Sequence, residues 1–586
     1  MPRIAIVHKE RCNPKGCGGY LCMRMCPMNR QGLECITIDP VDQKIRINPE
    51  LTSDACSIDQ NCCPFGAISL VNLPEELTKQ PVHQYGVNGF HLYNLPTPIF
   101  GKVVGILGRN GIGKSTAIRI LAGALKPNLG KETEASMQEL LQYFKGTESQ
   151  VFFEKLARGE IKVSYKPQQV DLMQKTAKGK VSDLLKKVDE TGKMDAVVKA
   201  LDLDNVLNND LATVSGGEMQ RIAIAATVLK KAQLYIFDEP TSYLDIKQRI
   251  RVAQFIRELA TPDTSVLVVE HDLIVLDFMT DLTHIMFGDE GVYGIVSLPK
   301  ATRNGINAYL EGYLKEQNMR FRDHAITFFA RPPGQKKFAA KLTGWNPLQK
   351  KLDKFMLKID AGGVHARSVI GVLGENGIGK TTFVKMLANV FKPDQGTVEI
   401  PVRVAYKPQY LEGESTEVVS ILLQEAIGTY EIALIRPLDL KRLLLKQVNT
   451  LSGGELQRVA IAHCLSQDAD LFLLDEPSAY LDVEQRMAVA KAIKEIVEQR
   501  GISVLVVDHD LLFLDYLADE LMVFTGMPAR SGTAQGPFNM EQGMNAFLRE
   551  IDITLRRDEE SKRPRINKPG SRIDREQKES GKLYYT

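Results

Sequence analysis

Two stretches of this chain, GRNGIGKST (108–116) and GENGIGKTT (374–382), carry the glycine spacing and closing Lys-Ser/Thr of a phosphate-binding loop. Such glycines let backbone N–H groups converge on phosphates at a helix N-terminus. The spacing assigns ATP contacts to Gly108, Asn110, Gly111, Gly113, Lys114, Ser115 and Thr116, and to Gly374, Asn376, Gly377, Gly379, Lys380, Thr381 and Thr382. Lys114 and Lys380 would reach the β- and γ-phosphates, while Ser115 and Thr381 would ligate Mg²⁺. Downstream of each loop an apolar run ends in Asp-Glu, in IFDEP (236–240) and LLDEP (473–477). Asp238 and Asp475 would bind Mg²⁺ through water, and Glu239 and Glu476 would polarise the attacking water. His271 and His509 follow further apolar runs and would hold the γ-phosphate. Gln168 and Gln409 would sense the metal and that water. An acidic pair after a strand is ordinarily a helix N-cap, and a lone His there an ordinary core residue. The ordered company of the other motifs argues against both. Tyr85 or Phe90 before the first loop, and Phe355 before the second, are placed to stack on adenine, although aromatics at such positions are more often core.

The motifs recur in one order. KPQ (166–168), SGGEMQR (215–221), SYLD (242–245) and EHD (270–272) are matched by KPQ (407–409), SGGELQR (452–458), AYLD (479–482) and DHD (508–510). A duplication of this kind means two related domains. The interval from Lys114 to Ser215 is about thirty residues longer than that from Lys380 to Ser452. SMQELLQYFKGTESQVFFEKL (136–156) is the natural body of that insertion, and its pattern predicts two short amphipathic helices around Lys145-Gly146. The repeat continues beyond the motifs. GINAYLEGYL (305–314) with RFRD (320–323) echoes GMNAFLREID (543–552) with LRRD (555–558). This predicts a hinge fixing the halves in orientation, against the plainer reading of two peripheral helices. RPPGQKK (331–337) reads as a connecting loop. SKRPRINKPGSRIDREQK (561–578), basic and poor in apolar residues, reads by itself as a solvated tail.

At 586 residues the chain exceeds one hydrophobic core. Its formal charge of +2 does not mark a nucleic-acid binder, so any basic surface must come from local patterning. No stretch approaches ~18 uninterrupted apolar residues, and the N-terminus has no signal-peptide pattern. These features predict a soluble cytoplasmic protein without a membrane domain; a nuclear location is left open. The boundaries expected are 1–74 for a cysteine-rich domain, 75–304 for the first nucleotide-binding domain with an insertion near 132–160, 305–340 for a first hinge, 341–538 for the second nucleotide-binding domain, and 539–586 for a second hinge and basic tail.

Eight of the nine cysteines lie between Cys12 and Cys63. In an intracellular-looking chain such clustering favours metal ligation over disulfides. The first run, Cys12, Cys17, Cys22 and Cys26-Pro27, and the second, ending Cys63-Pro64, both close on Cys-Pro. Two such ends resemble bacterial-type ferredoxins, in which the fourth cysteine of each run ligates the other run's cluster. Zinc on Cys12, Cys17, Cys22 and Cys26 is the competing reading. Cys35 and Cys464 read as small buried residues.

SGGE, found twice, resembles the signature of the ABC ATPase superfamily. In that family the signature Ser and second Gly bind ATP held by the opposite cassette. The resemblance therefore assigns Ser452 and Gly454 to the site built on Lys114, and Ser215 and Gly217 to the site built on Lys380. The whole chain is further similar to the ABCE subfamily, the RNase L inhibitor family, through RIAIVHKERC, CPFGAISLVNLP, PNLGK, GINAYLEGYL, GMNAFL and RPRINK. That resemblance implies an α/β fold: an N-terminal ferredoxin-like iron–sulfur domain, then two ABC-type nucleotide-binding domains set head-to-tail with hinges. It implies an ATPase that splits ribosomes after termination or rescue with a class 1 release factor or Pelota. The factor then stays on the small ribosomal subunit with initiation factors, as a monomer, and roles in initiation and ribosome biogenesis follow from the family. The insertion and both hinges (136–156, 305–323 and 543–568) would contact ribosomal RNA and protein.

The second cysteine run departs from the family. Counted back from Cys63 in the C-x₂-C-x₂-C-x₃-C-P register, the first three positions hold Ser53, Cys56 and Asp59, with an extra Cys62. The first run is one residue longer than usual between Cys17 and Cys22. Crossed ligation gives one cluster Cys12, Cys17, Cys22 and Cys63. The other has Cys26 and Cys56, with Ser53 and Asp59 or a re-registered Cys62. Serine and aspartate are harder ligands than thiolate, so one [4Fe–4S] cluster is expected and the second is labile, unusually ligated or lost. A soluble translation factor of another ABC class would lack the cysteines and carry a long charged helical linker. A chromosome-maintenance ATPase would need coiled-coil heptads, and a transporter's ATPase subunit usually carries one cassette. An ATP-fuelled iron–sulfur redox enzyme is the alternative function.

Overall fold

The computed structural model describes residues 3–48, 51, 61–72, 80–170, 179–328, 340–399, 402–409 and 413–584. Its first unit is small. Arg3–Val7 pairs antiparallel with Ile68–Asn72, and Ile36–Ile38 with Ile45–Ile47. Ala5, Val7, Ile36, Ile45, Ile47 and Ile68 share one core with Cys12, Cys22, Cys26 and Cys35.

Two mixed sheets of the same topology follow. The first runs His83–Gln84, His91–Tyr93, Tyr293–Val296, Leu282–Asp289, Val103–Gly108, Ser265–Val269, Leu234–Asp238, Val163–Lys166. The second runs Leu348–Leu352, Phe355–Ile359, Ser531–Asn539, Glu520–Met527, Val369–Leu373, Ser503–Val507, Leu471–Asp475, Val404–Lys407. The central strands are parallel and buried throughout, which is why they read in sequence as unbroken apolar runs. Each phosphate loop follows a central strand and opens a helix, Lys114–Leu121 or Lys380–Leu387. Each Asp-Glu pair ends the buried strand next but one to that central strand, with Ser265–Val269 or Ser503–Val507 lying between. The α/β class and its three domains are those expected.

The insertion forms the helices Met137–Tyr143 and Glu148–Ala157, turning at Gly146 in the left-handed region. Ser136 and Glu139 make a capping box at its entry. Leu140, Phe144, Phe152 and Phe153 are buried against the first cassette, with Phe144 stacked on Phe153 at 5.1 Å. The connecting loop read at 331–337 lies outside the described residues.

Each hinge reaches across to the other half. In the first, helix Thr302–Glu311 packs on the first sheet, while Arg322 pairs with Glu484 of the second cassette at 2.8 Å. In the second, helix Met540–Glu550 packs on the second sheet, and the hairpin Leu555–Arg557/Pro564–Ile566 docks on the first cassette. There Arg563 and Arg565 pair with Asp277, each at 3.0 Å. Asp558 joins the two hinges by accepting from Arg303 at 2.8 Å and Asn307 at 3.1 Å. The basic stretch 561–578 is thus not a solvated tail: Arg563 is 0% exposed, and helix Arg572–Ser580 buries Asp574. Arg563 and Arg565 share Asp277, 286 and 288 residues away, a partner that composition alone does not reveal. Tyr584 continues the chain onto Asp515 of the second cassette.

Candidate functional site

The helices Lys114–Leu121 and Lys380–Leu387 start from Gly113 and Gly379, both in the left-handed region with φ of 88° and 98°. A side chain there would strain the backbone and also strike the domain's own aromatics: a Cβ would lie 2.6 Å from Phe90 at Gly113 and 3.1 Å from Phe355 at Gly379. Phe90 and Phe355 therefore flank the loops as partly buried residues. Tyr85 is exposed, and its hydroxyl lies 3.3 Å from Thr116 Oγ1. Lys114 and Lys380 curl back onto loop carbonyls, Gly108 O at 2.9 Å and Gly374 O at 2.8 Å.

Burial lowers the pKa of both lysines, against the pull of surrounding carboxylates, and brings Lys380 to about 8. A triphosphate would favour the charged amine, so the amine's pKa must rise on binding. Affinity for a non-hydrolysable ATP analogue is accordingly expected to be level near neutrality. It should fall by up to about tenfold per pH unit as pH rises through 8. A flat affinity from pH 7 to 9.5 would contradict this.

Glu239 and Glu476 sit at the sharp exits of their strands with φ of 48° and 47°, strain of the kind found at functional sites. Gln168 Nε2 donates to Glu239 Oε1 at 2.7 Å, and Gln409 Nε2 to Glu476 Oε1 at 2.7 Å. The histidines differ. His271 Nε2 lies 3.3 Å from Glu239; His509 Nε2 lies 3.7 Å from Glu476 and 3.4 Å from Lys380 Nζ. Burial works to raise both glutamates, but His271 and Lys114 outweigh it at Glu239, whose pKa falls to about 2. Glu476 is raised, by burial and by Asp475. Burial raises Asp238, to about 6, and Asp475, the two aspartates expected to take Mg²⁺.

Neither oxygen of Asp475 meets a hydrogen-bond donor among the described residues. Two buried, undonated carboxylate oxygens near the Thr381 hydroxyl suit a hydrated divalent cation. The structure thus brings Ser115, Gln168 and Asp238 beside one loop, and Thr381, Gln409 and Asp475 beside the other.

Ser215 and Ser452 cap the signature helices Gly216–Val228 and Gly453–Ser466, each in a capping box with the following Glu. Gly217 and Gly454 leave room only for backbone: a Cβ would lie 3.0 Å from Tyr243 O and 2.9 Å from Tyr480 O. The turns carrying those tyrosines reach the other cassette. Asn110 N–H donates to Asp482 at 2.9 Å, and Asn376 N–H to Asp245 at 3.1 Å. Arg109–Glu484 and Lys247–Glu375 pairs flank these contacts. Each phosphate loop is therefore contacted by the opposite cassette.

Several further residues, given no role by their motifs alone, hold the sites together. Lys166 and Lys407 are buried, with Nζ on Asp238 O at 2.9 Å and on Asp475 O at 2.7 Å, so they hold the strand exits in place. Gln220 and Gln457 brace the same exits through Glu239 O and Glu476 O, each at 2.6 Å. Asp245 and Asp482 make the cross-cassette contacts. The recurrence of KPQ, SGGE-x-Q and YLD at matched positions was the available signal.

In the small domain, Cys12, Cys17, Cys22 and Cys63 line one cavity with Pro14, Ile45, Pro64 and Phe65. Burial, then the neighbouring thiols, push Cys22 up to about 12. Among the described residues no group of three or more His, Cys, Asp or Glu converges on a single ion. Four thiols spread around a cavity suit a multi-iron cluster better than one zinc. Cys26 is buried and Cys62 partly buried in the same core. Ser53, Cys56 and Asp59 lie outside the described residues. Cys35 and Cys464 are buried.

A family model described as "ABC transporter" matches residues 100–242 and 357–479, and one described as "Possible Fer4-like domain in RNase L inhibitor, RLI" matches 2–34. The chain is 41% identical to translation initiation factor RLI1 of Saccharomyces cerevisiae, over 100% of this chain and 98% of that protein. It is 51% identical, with a TM-score of 0.93, to a chain from a model of ribosome-bound archaeal Pelota and ABCE1, covering 100% of this chain and 99% of that one. The chain belongs to the ABCE family. A crystal structure of archaeal ribosomal stalk protein aP1 with archaeal ribosome recycling factor aABCE1 matches at 52% identity and a TM-score of 0.83, over 86% of this chain and 99% of that one. This ABCE protein is an ABC-type ATPase that uses ATP and Mg²⁺ and has an iron–sulfur domain. No helix among the described residues is long and apolar enough to cross a membrane.

Proposed function

We propose that this ABCE protein is an ATP-driven ribosome recycling factor, acting in the cytoplasm as a monomer. It splits ribosomes into subunits with a class 1 release factor or Pelota and then stays with initiation factors on the small subunit. The reading is carried by the reciprocal contact of Asp482 with the Asn110 loop and Asp245 with the Asn376 loop. Two sites that are each complete only when both cassettes meet couple ATP occupancy to closure of the halves.

In each site the loop N–H groups and Lys114 or Lys380 bind the phosphates. Ser452 and Gly454, or Ser215 and Gly217, cover them from across the interface. Tyr85 or Phe90 in the first site, and Phe355 in the second, bound the adenine. Bound Mg²⁺ would offset phosphate charge, held by Ser115, Asp238 and Gln168 or by Thr381, Asp475 and Gln409. Glu239 and Glu476 accept the water's proton, oriented by their glutamines, while His271 and His509 face the γ-phosphate. The insertion at 136–156 and the solvent-facing sides of the hinges at 305–323 and 543–568 offer ribosome contacts.

In the small domain, Cys12, Cys17, Cys22 and Cys63 hold one [4Fe–4S] cluster, which would supply a rigid, covalently tied unit that domain motion can carry. A second cluster of the usual type does not fit Ser53 and Asp59 in place of thiolates. Incubating 70S- or 80S-type ribosomes stalled at a stop codon with release factor, ATP and this protein is expected to yield free subunits on a sucrose gradient. Intact ribosomes under those conditions, with ATP hydrolysis proceeding, would refute the recycling role.

A further inference from the structure

Arg249 lies one helical turn after Asp245, in helix Ile246–Glu258. Its Nε donates to Leu244 O at 2.8 Å, in the turn whose Asp245 touches the opposite phosphate loop. Its Nη1 donates to Asp272 Oδ2 at 3.0 Å. Asp272 directly follows His271 and caps helix Leu273–Met279 through Oδ1. One guanidinium thus grips two turns that serve different ATP sites: Asp245 contacts the site built on Lys380, and His271 faces the site built on Lys114.

The second cassette repeats the arrangement. Arg486 Nε donates to Leu481 O at 2.9 Å, and its Nη1 to Asp510 Oδ2 at 2.6 Å. Asp482 touches the Lys114 loop, while Asp510 follows His509 and caps helix Leu511–Leu517. Both pairs are nearly dry, with side chains 15% and 6% exposed in the first and 14% and 4% in the second. The two capped helices pack against each other, so the pairs meet across the cassette interface. Burial, and then the Asp510 charge, raise Asp272 to about 6, with Arg249 and Arg486 opposing. A buried ion pair adds little net stability over an apolar replacement. A planar guanidinium, however, fixes two acceptors in a set relation that lysine cannot reproduce.

We propose that Arg249 and Arg486 are positioning residues that couple the two ATP sites, each tying the turn that engages the opposite phosphate loop to the γ-phosphate histidine turn of its own cassette. Occupancy at one site then sets the histidine geometry at the other. The inference rests on the composite-site reading above.

ATP binding is measured by equilibrium titration in the full chain carrying Glu239→Gln and Glu476→Gln, with and without Arg249→Met and Arg486→Met. Two ATP per chain with a Hill coefficient clearly above one are expected in the parent. The arginine variants should still bind two ATP, with a coefficient near one and a mean affinity within about threefold. If the methionine variants do not fold, Arg249→Lys and Arg486→Lys, which keep the charge and lose the fork, are titrated and should show the same loss of cooperativity. A parent coefficient of one, or a coefficient unchanged in the folded variants, overturns the proposal. A stoichiometry other than two ATP per chain in the parent would instead overturn the site reading on which it rests.

Discussion

Replacing Glu239 and Glu476 together by Gln is expected to cut ATP turnover by about 10²–10⁴-fold while leaving two ATP bound and the cassettes closed. Gln keeps the size of Glu and can still pair with Gln168 or Gln409, so the loops should keep their shape and nucleotide should stay. What is lost is the carboxylate that takes the water's proton. Turnover at the parental rate would show that another group does so.

The single variants separate the sites by pH. A general base works only when ionised, and Glu239 is held near 2 whereas Glu476 is raised above its ordinary value. As pH falls, the site using Glu476 should therefore fail first. The acid limb of Glu239→Gln, where only Glu476 works, is expected at higher pH than that of Glu476→Gln. The reverse order would place the difference elsewhere, in the metal or the nucleotide.

The second large effect concerns iron. Anaerobically purified protein is expected to hold iron and sulfide at about four of each per chain rather than eight. Replacing Cys22 by Ala should remove nearly all of it, because Cys22 lines the cavity shared with Cys12, Cys17 and Cys63. Its thiol, raised to about 12, stays protonated without metal, so cluster assembly must displace that proton and becomes harder as pH falls. Cys26→Ala should leave iron near the parental value. Iron near eight per chain would mean that Ser53 and Asp59, or Cys62, serve a second cluster after all.

The elements that carry the phosphate chemistry were legible because each is a local structure. A glycine loop opening a helix, an apolar strand ending in Asp-Glu and a Ser-Gly-Gly-Glu capping box are set by residues only a few positions apart. The insertion was legible for the same reason, its apolar residues falling at helical spacing. The stretch 561–578 was not. Its arginines look solvated until Asp277, from the first cassette, is set beside them together with the hairpin's own Asp558. The KPQ lysines were likewise overlooked, since a lysine in a motif gives no sign that it will be fully buried on the carbonyls of a neighbouring strand.

By itself, the sequence determined that this chain holds two phosphate-binding cassettes behind a cysteine domain, and that the second cysteine run lacks its usual ligands. These are facts of residue type and short spacing, and no fold can supply a thiolate where Ser53 stands. Only the tertiary structure decided which parts meet. Asn110 and Asp482 are separated by 372 residues, and Asn376 and Asp245 by 131. Contacts at that range depend on how buried faces pack and on where a charge finds its partner. Neither is encoded in any one stretch of the chain, and both ATP sites, the crossed hinges and the arginine bridges follow from them.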